Sequence, residues 1–209
     1  MTRIYLFTDY EALDEADINK LYNALPDFRK KRTDDFKFSS GKRACIISYF
    51  VFLYGYRKAT GNTDMPEFCY SDNKKPYLRD ISQFHFNISH CKTAIACICH
   101  DFPAGIDIEC VRTYNPRITE KVCSKKEINT INSSSNRAEA FCKIWTVKEA
   151  ITKTDGCGIT VDLTKITSDT AYSKTFQIDN NTFMSYSVKE NKIAQPIVFL
   201  TIDELFSLI

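Results

Sequence analysis

The sequence lacks most of the signatures by which a chain declares its chemistry. Its nine cysteines are odd in number, contain no CxxC pair, and stand at 45, 69, 91, 97, 99, 110, 123, 142 and 157. That pattern fits neither a metal knuckle nor a secreted disulfide framework. Most lie in apolar runs such as Ala94 to Cys99 and read as small buried hydrophobes in a reducing compartment. Neither GxGxxG nor GxxxxGK[ST] occurs, so no glycine-built phosphate cradle is encoded. No apolar run approaches the ~18 residues of a membrane span. Met1 to Leu6 lacks the apolar core and cleavage site of a signal peptide, so a cytoplasmic protein is expected. No short repeat and no low-complexity linker is found, so any two lobes should pack closely. Net charge is also scarce: 28 basic against 26 acidic residues leave +2. That excludes a wholesale nucleic-acid or membrane-surface binder, so any anion site must be local.

What is present is an ordinary globular composition: 209 residues, 44 % hydrophobic, 26 % charged, mean hydropathy −0.29. Such a length buries roughly 70 % of its unfolded surface and needs no metal or disulfide staple. Arg3 to Thr8 alternates as a strand. Glu15 to Leu25 reads as a helix stopped by Pro26, and Ser40 to Tyr56 as a helix with a thick apolar face through Ala44, Ile47, Val51 and Tyr54. Strands are expected at Phe68 to Tyr70, Pro76 to Leu78, Phe84 to Ser89, Thr93 to Cys99 and Gly105 to Cys110, the last two as a hairpin across His100 to Pro103. A helix over Ile118 to Ile131 should precede a second over Ala138 to Lys153, capped by Asn136 with Glu139 three residues on and ended by Gly156-Cys157-Gly158. Strands near Phe176 to Ile178, Phe183 to Val188 and Ile197 to Ile202 follow. Helix-then-strands, twice, without βαβ alternation, predicts an α+β fold with helices on one face of largely antiparallel sheets.

Chemistry shows where charge breaks these patterns. In Gly105-Ile106-Asp107-Ile108-Glu109, period two puts both carboxylates on one face. They are either a solvated strand face or half of a divalent-cation site, because hard cations take carboxylate oxygens. On the second long helix, Phe141, Ile144, Trp145, Ile151 and Thr152 form a stripe with Lys148 in its middle. Glu149 falls at the edge beside Trp145, and Lys153 one turn further on. A lysine inside an apolar stripe must snorkel, pair or meet a ligand. Phe86-Asn87-Ile88-Ser89-His90 ends a strand in polar groups, with Asn87 and Ser89 sharing a face. Cys91 beside His90 is poorly placed as a Cys–His nucleophile, since neighbours on a strand point apart. Arg29 to Arg43 holds seven basic residues against Asp34 and Asp35, a local balance of +5. It is a solvated face, or it binds phosphate or an acidic partner.

Together, Lys75-Pro76-Tyr77, Phe86-Asn87-Ile88-Ser89-His90, Gly105-Ile106-Asp107-Ile108-Glu109 and Trp145-Thr146-Val147-Lys148-Glu149-Ala150 with Lys153 resemble the 4′-phosphopantetheinyl transferases of the surfactin-synthetase-activating type. Order and spacing match, and the likeness runs weakly over nearly the whole chain. The resemblance implies two similar lobes, 1–103 and 104–209, related by a pseudo-twofold axis, with coenzyme A in the seam and the metal carboxylates in the second lobe. It implies transfer of the phosphopantetheine arm of coenzyme A to a serine of an acyl or peptidyl carrier protein, by a Mg²⁺-dependent monomer without nucleic-acid or membrane partners. Asp107, Glu109 and Glu149 match the metal carboxylates. Lys148 and Lys153 match the helix lysines, Lys153 beside the reacting phosphate. Lys75 with Pro76, Ser89 and His90 match positions that hold the coenzyme A phosphates, Arg43 a further basic contact, and Lys30 and Lys31 the 3′-phosphate contacts. Glu149 is expected to take the serine proton and His90 to donate to the pyrophosphate. The family's glycine before Lys-Pro is replaced by Lys74, which puts the local turn in question. The rival readings are a nucleic-acid module built on residues 29–43, and a catalytically inactive coenzyme A or carrier-protein binding module. The first lacks a basic face, and the intact carboxylate set speaks against the second.

Overall fold

The computed structural model describes residues 3–79, 81–156, 161–167, 172–189 and 197–209. Strand β1 (Arg3–Phe7) is followed by helices α1 (Glu15–Asn23), α2 (Asp27–Asp34) and α3 (Ser39–Thr60). Short strands β2 (Phe68–Tyr70) and β3 (Pro76–Leu78) pair with each other. Next come β4 (His85–His90), β5 (Ile95–His100) and β6 (Ala104–Cys110), then α4 (Pro116–Val122), α5 (Lys125–Ser133) and α6 (Arg137–Asp155). After a 3₁₀ turn at Leu163–Lys165, β7 (Tyr172–Asp179), β8 (Thr182–Val188), β9 (Ile197–Leu200) and α7 (Ile202–Phe206) complete the chain.

Two sheets carry the architecture, in the orders β4-β5-β1-β9 and β6-β8-β7. All pairings are antiparallel except β1 with β9. Period-two alternation in β1 and β5 feeds two cores. Tyr5, Phe7, Cys97 and Cys99 pack under α3, while Ile4, Leu6, Ala96 and Ile98 meet Ile106, Ile108, Met184 and Tyr186 of the second sheet. The far side of that sheet is covered by α6, so each sheet has a helix on one face, as the α+β reading requires. A Cβ at Gly105 would lie 2.1 Å from Ala150 O, so only glycine lets α6 settle directly on β6. Thr154 Oγ1 donates to Ser187 O at 3.0 Å, and Thr146 and Ser185 hydroxyls meet at 2.7 Å. Buried hydroxyls thus dock this helix where apolar side chains would hold it further off.

Several expectations need correction. β5 and β6 form no hairpin: β5 pairs with β4 and β1, and β6 with β8. The edge of β6 is occupied from β4, by side chains described below. The helix foreseen over 118–131 is two, broken at Cys123-Ser124, where Ser124 and Glu127 form a reciprocal capping box. The last strand stops at Leu200 because Thr201 and Glu204 cap α7. Asn136 caps α6, but its amide donates to the Glu139 carboxylate, a variant of the expected box. Gly156 ends α6 at φ 68°, in the left-handed region; Cys157 and Gly158 lie outside the described residues. Of the expected stripe, Lys148, Ile151 and Thr152 are buried while Phe141, Ile144 and Trp145 are half-buried, and Thr146, Val147, Ala150 and Thr154 complete the buried face of α6. No helix among the described residues is long and apolar enough to cross a membrane.

Candidate active site

The site begins with the way β4 meets β6. Asn87 Oδ1 accepts from Ile106 N at 2.9 Å and Ser89 Oγ from Ile108 N at 3.3 Å. Alternate side chains of β4 therefore replace the backbone ladder, with the two strands running parallel in a constant register. Edge amides that would be unpaired are satisfied, and a gap is left that polar side chains fill.

Ser89 Oγ donates to Asp107 Oδ1 at 2.9 Å. Lys153 Nζ, from α6, reaches Asp107 Oδ1 at 2.5 Å and Ser89 Oγ at 3.1 Å. Asp107 is 3 % exposed, and its second oxygen, Oδ2, is buried without a hydrogen-bond partner. A half-satisfied buried carboxylate is costly, so such an atom calls for an explanation. Glu109, on the same face of β6, is bound by Arg112 Nη2 at 3.0 Å. Burial, then the Asp107 charge, raises the Glu109 carboxyl above its usual range; Arg112, Trp145 and Lys153 pull the other way. Glu149 is raised first by burial and next by Asp107, relieved by Lys153 and raised again by Glu109. Glu109 and Glu149 are thus both raised by burial and by neighbouring carboxylate charge. Protein surrounds the ring of His90, although the residue reaches solvent; that desolvation and then Lys153 lower its pKa, against a smaller pull from Asp107.

Among the described residues, no three His, Cys, Asp or Glu side chains are gathered as a ready metal cage. The donor set nevertheless suits a hard divalent cation: Asp107 has an orphaned buried oxygen, and Glu109 and Glu149 are carboxyls whose charge burial penalises.

Other predicted residues fall elsewhere. Lys148 is not brought to this cluster. It is fully buried and bonds Glu127 Oε2 at 2.9 Å, Leu163 O at 2.8 Å and Ile166 O. The sequence required it to pair, and it pairs within the scaffold. Lys75 Nζ donates to Lys153 O at 2.5 Å and Thr154 O at 3.1 Å, closing the last turn of α6 where carbonyls lack helical partners. Lys74 before it adopts φ 61°, the left-handed conformation that glycine takes freely.

Three cavities flank the cluster. The largest, about 880 Å³, carries both signs of charge, with Arg43, Lys92 and Arg112 facing Glu11, Asp14 and Glu15, and reaches His90 and Cys91. Arg43 Nη2 donates to Tyr10 O at 2.8 Å and to Leu13 O, so the guanidinium braces the loop beneath as well as facing the cleft. The second, about 270 Å³, holds Arg29, Arg32, Tyr49, Phe52, Pro76 and His90. Lys30 and Lys31 line neither: α2 turns Arg29 and Arg32, three apart, to the cavity, Arg29 lying over Tyr49 at 5.3 Å and Arg32 over Tyr70 at 5.9 Å. The sequence reading missed both; the 3.6-residue period would have separated them from Lys30 and Lys31 had α2 been recognised. The third, about 320 Å³, is apolar and lined by Glu109, Cys110, Arg112, Phe141 and Trp145.

Residues 103–198 match the model of the 4′-phosphopantetheinyl transferase superfamily, a span that includes Asp107, Glu109, Lys148, Glu149 and Lys153. The resemblance drawn from the motifs is borne out. The chain is 38 % identical over 98 residues to 4′-phosphopantetheinyl transferase psf-1 of Bacillus pumilus, covering 46 % of this chain and 42 % of that protein. It is 24 % identical over 149 residues to 4′-phosphopantetheinyl transferase Sfp of Bacillus subtilis strain 168, covering 63 % and 66 %. It is 26 % identical over 198 residues to the L-aminoadipate-semialdehyde dehydrogenase-phosphopantetheinyl transferase of Candida glabrata, covering 86 % and 76 %. The matches to the two bacterial relatives thus span less than two thirds of those proteins' lengths.

Proposed function

We propose that this protein transfers the 4′-phosphopantetheine arm of coenzyme A to a serine of an apo acyl or peptidyl carrier protein, releasing adenosine 3′,5′-bisphosphate. The observation that carries the reading is the Ser89–Asp107–Lys153 cluster, with its orphaned Asp107 oxygen, between Glu109 and Glu149 and beside a cleft bearing Arg43 and His90. The serine Oγ–P bond forms and the P–O bond to the adenosine bisphosphate breaks. Such a transfer depends on positioning and charge neutralisation and needs no covalent intermediate on the protein.

Each residue has a task in that step. Asp107, Glu109 and Glu149 would hold Mg²⁺, which when bound offsets the charge that grows on the departing bisphosphate. Lys153 supplies ammonium N–H donors to the reacting phosphate from a side chain that is 28 % exposed. His90, kept neutral by its lowered pKa, donates one hydrogen bond to the pyrophosphate. Glu149, its carboxyl raised toward the operating range, accepts the serine proton. Arg43, Arg29 and Arg32 offer the local positive charge that a nucleotide requires and the overall +2 does not supply. Lys75 is a positioning residue, setting the end of α6 and hence Lys153; Lys148 holds the same helix from its other side. The reading includes a monomer in the cytoplasm, where buried free thiols persist. It also divides the chain into lobes 1–103 and 104–209 about a pseudo-twofold axis; in support, α3 lies on the first sheet much as α6 lies on the second.

The test is the intact mass of an apo carrier protein incubated with this protein, coenzyme A and Mg²⁺. A gain of one phosphopantetheine supports the reading, and an unchanged mass across fatty-acid, polyketide and peptide carrier proteins overturns it. Glu149→Gln then probes the base. Retained coenzyme A binding with lost turnover supports Glu149; near-normal turnover, with loss in His90→Ala, assigns the proton to His90.

A further inference from the structure

Asn87 and Ser89 of β4, and Cys91 just beyond its end, face β6 in succession, and the transfer reaction leaves Cys91 without a task. Asn87 reaches the amide of Ile106 and Ser89 that of Ile108, each nineteen positions on. Extending this parallel register by two residues sets Cys91 opposite Cys110. Their thiols share one neighbour: Thr93 Oγ1 lies 3.7 Å from Cys91 Sγ and 3.6 Å from Cys110 Sγ. Both are free. Cys91 borders the largest of the three cavities and Cys110 the apolar pocket, so each is reached from a different side. A strand gap crossed by one serine side chain is close to what a disulfide spans, about 4.4–6.8 Å between Cα atoms.

We propose that Cys91 and Cys110 form a dithiol site for exchange with low-molecular-weight disulfides, closing a reversible bridge across the β4–β6 seam. Cys110, half-buried where Cys91 is buried, is the sulfur a small disulfide reaches, and it attacks one sulfur of that disulfide as its proton leaves. Its S–S bond breaks, one small thiol leaves with the electron pair and a proton, and Cys110 carries a mixed disulfide. Cys91 then loses its proton and attacks the Cys110 sulfur, releasing the second small thiol. Two protein thiols are oxidised and one small disulfide is reduced to two thiols. The bridge would tie the strand end carrying His90 to the one carrying Glu109, adding a covalent link to the side-chain hydrogen bonds and apolar packing between the sheets. This chemistry does not depend on phosphopantetheine transfer, so each can fail alone.

The test incubates the native protein with oxidised glutathione, blocks remaining thiols, digests without reduction and locates the bridge by fragment masses. The expected product links Cys91 to Cys110, is reversed by dithiothreitol, and raises Tm. Cys91→Ser should stop at a lasting glutathione adduct on Cys110, and Cys110→Ser should give neither adduct nor bridge at this seam. Cys142, whose thiol donates to Glu109 O at 3.7 Å, is the competitor. A Cys110–Cys142 bridge, a wild-type adduct that never resolves, or thiols that stay unmodified in fully oxidised glutathione would overturn the proposal.

Discussion

Lys148 and Lys153 sit on one helix, little more than a turn apart, and both meet carboxylates, yet their surroundings differ in kind. Around Lys148 every polar group is answered: Glu127 caps α5 and takes one ammonium hydrogen, and two backbone carbonyls take the others. Around Lys153 the account does not close. Asp107 keeps an unpartnered buried oxygen, and two nearby carboxyls are raised by burial and by neighbouring charge. A saturated cluster holds a fold together; an unsaturated one stores affinity for something that arrives later. Motif matching alone treats the two lysines alike, and only their partners separate them.

Breaking the saturated side should have the largest effect. Lys148→Ala removes one member of a buried pair and leaves two carbonyls without a donor, at a cost of about 3–5 kcal/mol. Chemical denaturation should show that loss, while transfer per folded molecule stays near wild type. A fall in transfer with unchanged stability would move Lys148 into the reacting site.

The unsaturated side should be visible in pH. The Glu109 and Glu149 pKa values are raised above 4.5 in the folded protein. Their contribution to stability is therefore fully present below that value and is lost as pH rises through the folded pKa values. In metal-free protein, wild type should lose stability relative to Glu149→Gln as pH is raised from about 4 to 7. Added Mg²⁺ should return that loss at neutral pH. Parallel Tm curves for the two proteins would remove the repulsion from the account.

The smallest effect is at Lys74. Its φ of 61° costs a side-chain-bearing residue roughly 1–2 kcal/mol, partly offset by the greater unfolded-state freedom of glycine. Lys74→Gly should stabilise the protein by about 0.5–1 kcal/mol. Destabilisation on denaturant titration would mean that the Lys74 side chain holds the turn.

Local rules made part of this legible. Alternation put Asp107 and Glu109 on one face of β6, and helical phase put Glu149 and Lys153 on one side of α6; both hold. The same phase said that Lys148 must pair but could not name Glu127, which lies on another helix. The β4–β6 seam was out of reach, because a parallel contact made through Asn87 and Ser89 side chains leaves no periodic trace. The short connection at residues 101–103 pointed to a hairpin instead. Arg29 and Arg32 were hidden by treating residues 29–43 as one block of charge rather than as a helix with faces.

The most direct measurement is the rate at which Asp107→Asn loads an apo carrier protein, read by intact mass beside wild type at saturating coenzyme A and Mg²⁺. Asparagine keeps the shape and a bond to Ser89 but removes the charge that Lys153 meets and that the proposed metal would share. The account predicts a fall of roughly 10²-fold or more, the scale of losing one electrostatic stabiliser, with Tm near wild type. Loading within a few-fold of wild type by a variant that is equally folded would contradict it.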